Sequence, residues 1–131
     1  MLNIKVELIK KIKQQRSETV TIGDIMWQDN IAAKSTILNF KDSKNYCKNL
    51  KIGYYDDWRL PTHTQLKSLV NNVNKIQNIA KWFYWSSYVR KDKKSVWGVN
   101  FEKENNIKKN AHTFKTYTQY VRCVRDKKVS K

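Results

Sequence analysis

"DDWRLPTHTQL", residues 56–66, sets the chain's only proline directly ahead of a helical pattern. Proline fixes its own φ and biases the preceding Leu60 away from helix, so Pro61 sets the direction in which the chain enters the helix. Thr62 is then placed as the N-cap, and Leu66, Leu69, Val70 and Val73 recur at the spacing of one inward face. Arg59 carries a planar fork of donors that suits a buried carboxylate or several backbone carbonyls, with Asp56 or Asp57 as its expected partner. The stretch admits two readings, a working site or a corner of the scaffold.

Upstream, "FKDSKNYCKNLKIG" (40–53) spaces Phe40, Tyr46, Cys47 and Leu50 on one stripe, with Asp42 or Ser43 to cap a helix and Gly53 to end it. Cys47 therefore points into the core. "ETVTIGDIMWQDN" (18–30) reads as two strands about a tight turn at Gly23 and Asp24. Residues 2–16 are ambiguous: Ile4, Val6 and Leu8 alternate as in a strand, while Leu8, Ile9 and Ile12 sit at helical spacing. The expectation there is a strand running into a turn or short helix.

Downstream, "KWFYWSSYVR", "KSVWGVNFEKEN" and "QYVRCVRD" are rich in aromatic and β-branched residues and read as strands. The first divides Trp82, Tyr84 and Ser86 from Phe83, Trp85 and Ser87 on opposite faces, so half of them belong to a core. In the last strand Val121, Cys123 and Arg125 share a face, which lets Cys123 look toward the helix that bears Cys47. Two helices followed by an antiparallel sheet make an α+β architecture. Residues 103–115 are left as a loop or irregular region.

A chain of 131 residues with 40% hydrophobic and 12% aromatic content is one ordinary folded domain. No apolar run is long enough for a membrane span, and the lysine-studded opening is not a secretion signal. The chain is expected either to stay inside the cell or to have lost a leader. Two cysteines and two distant histidines, His63 and His112, give no zinc-ligand spacing; one disulfide or two free thiols remain open. No cofactor or metal is expected.

The net charge of +16, from 27 basic and 11 acidic residues, attracts polyanions: nucleic acid, anionic lipid or acidic polysaccharide. "VRKDKKS" (89–95) lies between two strands, and "KENNIKKNAHTFK" (103–115) carries more lysines. Lys91, Lys93, Lys94, Lys108, Lys109 and Lys115 are the candidate contacts, each a point charge suited to sulfate or phosphate. An ordinary solvated lysine surface is the rival reading.

The ordered motifs "MWQDN", "YC", "DWRLPT", "YWSS", "VWGVNF" and "YVRCVR" resemble the bacterial Lcl C-terminal domain family over about residues 17–126. "RLPT" and "RCV" are also similar to the formylglycine-generating enzyme family. Because the resembling families share the motif while differing in function, the resemblance implies that Trp58, Arg59 and Pro61 form a structural latch, and its repeated tryptophans imply that Trp85 and Trp97 lie inside. The resemblance implies a C-type lectin-like fold of two helices, a twisted antiparallel sheet and long loops. It also implies a disulfide between the first helix and the last strand, where Cys47 and Cys123 stand. Residues 1–16 and 127–131 then become an N-terminal extension and a basic tail.

The family name comes from collagen-like adhesins, so the resemblance implies a noncatalytic, adhesin-like module for sulfated or otherwise anionic glycans. The alternative is an intracellular nucleic-acid- or protein-binding accessory on the same scaffold. Neither sugar-binding calcium motif of C-type lectins, Glu-Pro-Asn or Trp-Asn-Asp, occurs, and only Asn100 stands at a comparable place. Formylglycine-generating chemistry needs a separate cysteine pair, which this chain lacks once a bridge is made. An oligomer would add avidity, although nothing in the sequence requires one.

Overall fold

The computed structural model describes residues 4–10 and 18–127. The chain forms β1 (Thr19–Ile22), β2 (Ile25–Gln28), a 3-10 turn (Ile31–Lys34) and β3 (Ile37–Leu38), followed by α1 (Phe40–Asn49) and α2 (His63–Ser68). A second 3-10 segment (Leu69–Lys75) leads to β4 (Phe83–Val89), β5 (Ser95–Asn100), β6 (Lys108–Phe114), β7 (Gln119–Tyr120) and β8 (Val124–Asp126). The architecture is α+β, as expected, but with two sheets: β1-β2-β8, and β3-β7-β4-β5-β6. Pairing is antiparallel except between β4 and β7, which run parallel at Tyr84 and Tyr120.

The β1–β2 hairpin turns at Gly23, whose φ of 63° is left-handed backbone that glycine adopts without steric cost. β4 lies between two cores. Phe83 and Trp85 join Phe40, Cys47, Trp58 and Val121 on the α1 side, while Tyr84 joins Leu66, Leu69, Val99 and Val124 on the α2 side. Four consecutive residues, Phe83 to Ser86, are therefore buried, rather than one face of the strand.

Several local expectations change in the folded chain. Asn39, not Asp42 or Ser43, caps α1, its side-chain oxygen accepting from the Asp42 N–H at 2.8 Å. Starting the helix at Phe40 puts Phe40, Ser43 and Cys47 together on the buried face, so the cap must precede them. The helix closes at Leu50, and Gly53 instead serves the following turn, where it and Tyr54 both have positive φ. Residues 103–115 are not a loop throughout, because 108–114 form β6. "QYVRCVRD" is not one strand: its two ends join different sheets.

Residues 4–10 are helical where Ile4, Val6 and Leu8 alternate like a strand. Helix satisfies the backbone locally without a neighbouring strand, and Glu7 and Lys10 pair at 3.7 Å along it. The rest of the expected 1–16 extension, and the basic tail beyond Lys127, lie outside the described residues. None of the described helices is long and apolar enough to cross a membrane.

Candidate functional site

Segment 58–62 stitches the two sheets together. The Arg59 N–H donates to Val124 O at 2.9 Å and the Val124 N–H to Arg59 O at 2.8 Å, while the Ser87 N–H of β4 donates to Pro61 O at 2.8 Å. Thr62 caps α2 in a capping box with Gln65, and Leu66 and Leu69 are buried while Val70 and Val73 are half-buried. Trp58 is buried, its indole N–H donating to Tyr55 O at 3.2 Å. Trp58, Arg59 and Pro61, the residues of the expected latch, all stand in this segment.

The partner expected for Arg59 differs. Its guanidinium meets Asp126 at 2.9 Å, together with Leu60 O and Gln65 Oε1, each at 3.1 Å. Asp57 instead holds Arg125, with Nε at 2.5 Å and Nη2 at 3.1 Å. Asp57 is drawn aside because β8 runs alongside the segment and presents both Arg125 and Asp126 to it.

Cys47 and Cys123 form a disulfide, both fully buried, across a sequence separation of 76. Close by, Arg122 is wholly buried. It pairs with Asp29 at 3.4 Å and donates to the carbonyls of Gln28 and Asn78. Asp29 in turn accepts from the Gln77 and Asn78 N–H groups, each at 2.9 Å. This network pins the segment after the second 3-10 turn to β2. Sequence reading passed over it, because Arg122 and Asp29 each looked like one more charged residue.

The six candidate lysines divide. Lys91, Lys93 and Lys94 are exposed on the turn between β4 and β5, and the half-buried Lys115 joins them through its N–H to Lys94 O at 2.9 Å. Lys108 and Lys109 begin β6. Because β6 runs antiparallel to β5, they lie at the far end of that hairpin, six and seven residues or roughly 20 Å from Lys115. Burial of Lys115 follows from its stem, which carries its ammonium to 5.9 Å above the Phe40 ring.

Asp92 shapes the turn. Its carboxylate accepts from Ser95 Oγ and from the N–H groups of Lys94 and Ser95. The Ser95 hydroxyl first, and these backbone donors next, hold its pKa at about 2, below the ordinary 3.8.

Trp97 is not core: it is half-buried on the sheet surface beside that turn. The buried His63 ring stacks on it at 5.6 Å, the His112 ring meets it edge-on at 5.6 Å, and the Arg90 guanidinium lies 4.9 Å from its ring centre. His63 and His112, distant in the sequence, thus both meet one indole. Trp85, by contrast, is fully buried, its indole N–H donating to Leu38 O at 2.8 Å. Tyr88, Arg90, Lys91, Asp92 and Trp97 line a small cavity of about 250 Å³. The signal for this cluster was faint, since Tyr88 and Trp97 are nine residues apart and reach one cavity only when β4 pairs with β5.

The chemistry available here is stacking, ion pairing and hydrogen bonding. Among the described residues no group of three or more His, Cys, Asp or Glu is placed to hold a metal ion. The pattern of the Lcl C-terminal domain matches residues 20–125. The chain belongs to the Lcl C-terminal domain family. The match covers the first hairpin, both helices and nearly all of both sheets, and includes the disulfide and Trp97. No curated protein matches the chain.

Proposed function

We propose that this Lcl C-terminal domain is a noncatalytic, adhesin-like binding module with a C-type lectin-like arrangement, and that it recognises anionic, sulfated glycans. One observation carries the reading: Lys91, Lys93 and Lys94 stand exposed on a single turn, joined by Lys115, next to the half-buried indole of Trp97 and the exposed Tyr88. Clustered point charges suit sulfate, and a neighbouring aromatic face suits the apolar side of a sugar ring. The buried disulfide favours an oxidising compartment, and so favours this reading over an intracellular nucleic-acid-binding accessory.

Retention on heparin across a salt gradient tests it. The wild-type chain elutes well above physiological salt, and replacing Lys91, Lys93 and Lys94 with glutamine moves elution markedly lower. Replacing Lys108 and Lys109 moves it less, because they sit at the other end of the hairpin. Elution of the wild type near physiological salt, or no shift in the triple variant, overturns the proposal.

A further inference from the structure

Cations also gather beside the latch, around an opening that shares no lining residue with the cavity at the turn that carries Lys91, Lys93 and Lys94. A cleft of about 460 Å³ opens between α1 and segment 58–62, lined by Lys44, Lys48, Trp58, Arg59, Leu60, Thr62 and Ser87. Its size falls in the range of small-ligand sites. Its lining has three cations, two hydroxyls, an apolar floor and no carboxylate.

The cations are held without being consumed. Lys44 and Lys48 lie one helical turn apart on α1, so they share a face, and like charges at that spacing oppose each other slightly. Neither has a carboxylate partner among the described residues. Lys44 instead sits 5.0 Å from the centre of the Phe40 ring. Arg59 spends Nη1 on Leu60 O and Gln65 Oε1 and Nη2 on Asp126. That leaves two of its five N–H donors without a partner among the described residues. Asp126 offsets one of the three charges, so the cleft keeps an excess of positive charge.

The walls are also fixed relative to each other. Cys47, on α1 between Lys44 and Lys48, is bonded to Cys123, and the next residue, Val124, is paired with Arg59. Disulfide and β-bridge together tie α1, which carries Lys44 and Lys48, to segment 58–62, which carries Arg59, around one opening. Thr62 Oγ accepts from the Gln65 N–H and keeps its own proton to donate, and the exposed Ser87 offers a second hydroxyl.

We infer that this cleft binds a small acidic sugar, its carboxylate or sulfate ester taken by Lys44, Lys48 and Arg59 and its hydroxyls by Thr62 and Ser87. Three donors of positive charge suit one anionic group, and paired hydroxyls suit a polyol better than a purely apolar body. Arg59 thereby gains a second role beside its latch to Asp126.

The experiment is a titration of the isotopically labelled chain, followed by amide chemical shifts, with glucuronate, glucose 6-sulfate, inorganic sulfate and uncharged glucose. Saturable shifts are expected at residues 44–48, 59–62 and 87 with the two acidic sugars, weaker shifts with sulfate and none with glucose. The solvent-exposed double variant K44Q/K48Q should weaken the acidic-sugar affinity roughly tenfold. The K91Q/K93Q/K94Q variant should leave it unchanged, so this site can fail while the heparin-binding turn stands, and the reverse. Shifts confined to residues 90–95, affinity unaltered in K44Q/K48Q, or inorganic sulfate binding as tightly as the acidic sugars would each overturn the inference.

Discussion

Reducing the Cys47–Cys123 bond tests how far this domain relies on one cross-link. Both sulfurs are fully buried among Phe40, Trp58, Trp85 and Val121, so reduction leaves the packing atoms in place and removes chiefly the constraint on the unfolded chain. For a separation of 76 residues the chain-entropy relation gives about 4.5 kcal/mol at 25 °C. Total stabilities of single domains run to about 5–15 kcal/mol, so this is a large share. With a urea dependence of about 2 kcal/mol per molar for a small protein, the unfolding midpoint should fall by roughly 2 M. Trp27, Trp58 and Trp85 are all buried, so tryptophan fluorescence follows the transition directly. The assay compares oxidised protein, protein held reduced, and a C47A/C123A variant, with free thiols counted by mass after alkylation. Oxidised and reduced midpoints within roughly 0.3 M of each other would refute the reasoning, because the cross-link would then constrain little that the unfolded chain was free to do.

Three further outcomes follow from the packing and charge of the interior. Gly98→Ala places a methyl against the Phe83 ring and the Tyr84 carbonyl of the adjoining strand, so thermal denaturation should show a loss of about 1–3 kcal/mol or more. Asp29→Ala leaves the Arg122 guanidinium buried beside unpaired N–H groups of Gln77 and Asn78; chemical denaturation should report a loss of about 3–5 kcal/mol. Asp92 has a folded pKa lowered to about 2 from 3.8, so its support of the 90–95 turn is complete above the unfolded value and is lost as pH falls through about 2. Carboxyl carbon shifts should place the titration there, and amide shifts of Lys94 and Ser95 should move with it in the wild type but not in Asp92→Asn.

Much of the local structure was legible from the chain alone. Gly23 marked the first hairpin, Pro61 and Thr62 marked the start of α2, and the stripe through Phe40 and Cys47 marked the buried face of α1. Each of these rests on forces between near neighbours, whose spacing the sequence displays directly. The ordered motifs also identified the family correctly. Turn 90–94 was placed on the surface because two strongly patterned strands bound it.

Tertiary structure decided which distant groups meet. Arg59 chooses Asp126 and Asp57 chooses Arg125 across 67 and 68 residues, because β8 happens to lie against the latch. β6 is an edge strand with mostly wet side chains, so it lacks the alternation that reveals a half-buried strand, and only its ladder with β5 defines it. That same ladder parts Lys108 and Lys109 from the other lysines and sets His112 against Trp97. The cleft beside Lys44 and Lys48 forms where a disulfide, a β-bridge and a shared core bring two separate stretches of chain together. Sequence periodicity reports which side of an element is buried, whereas the neighbour across the gap is chosen by packing the elements together.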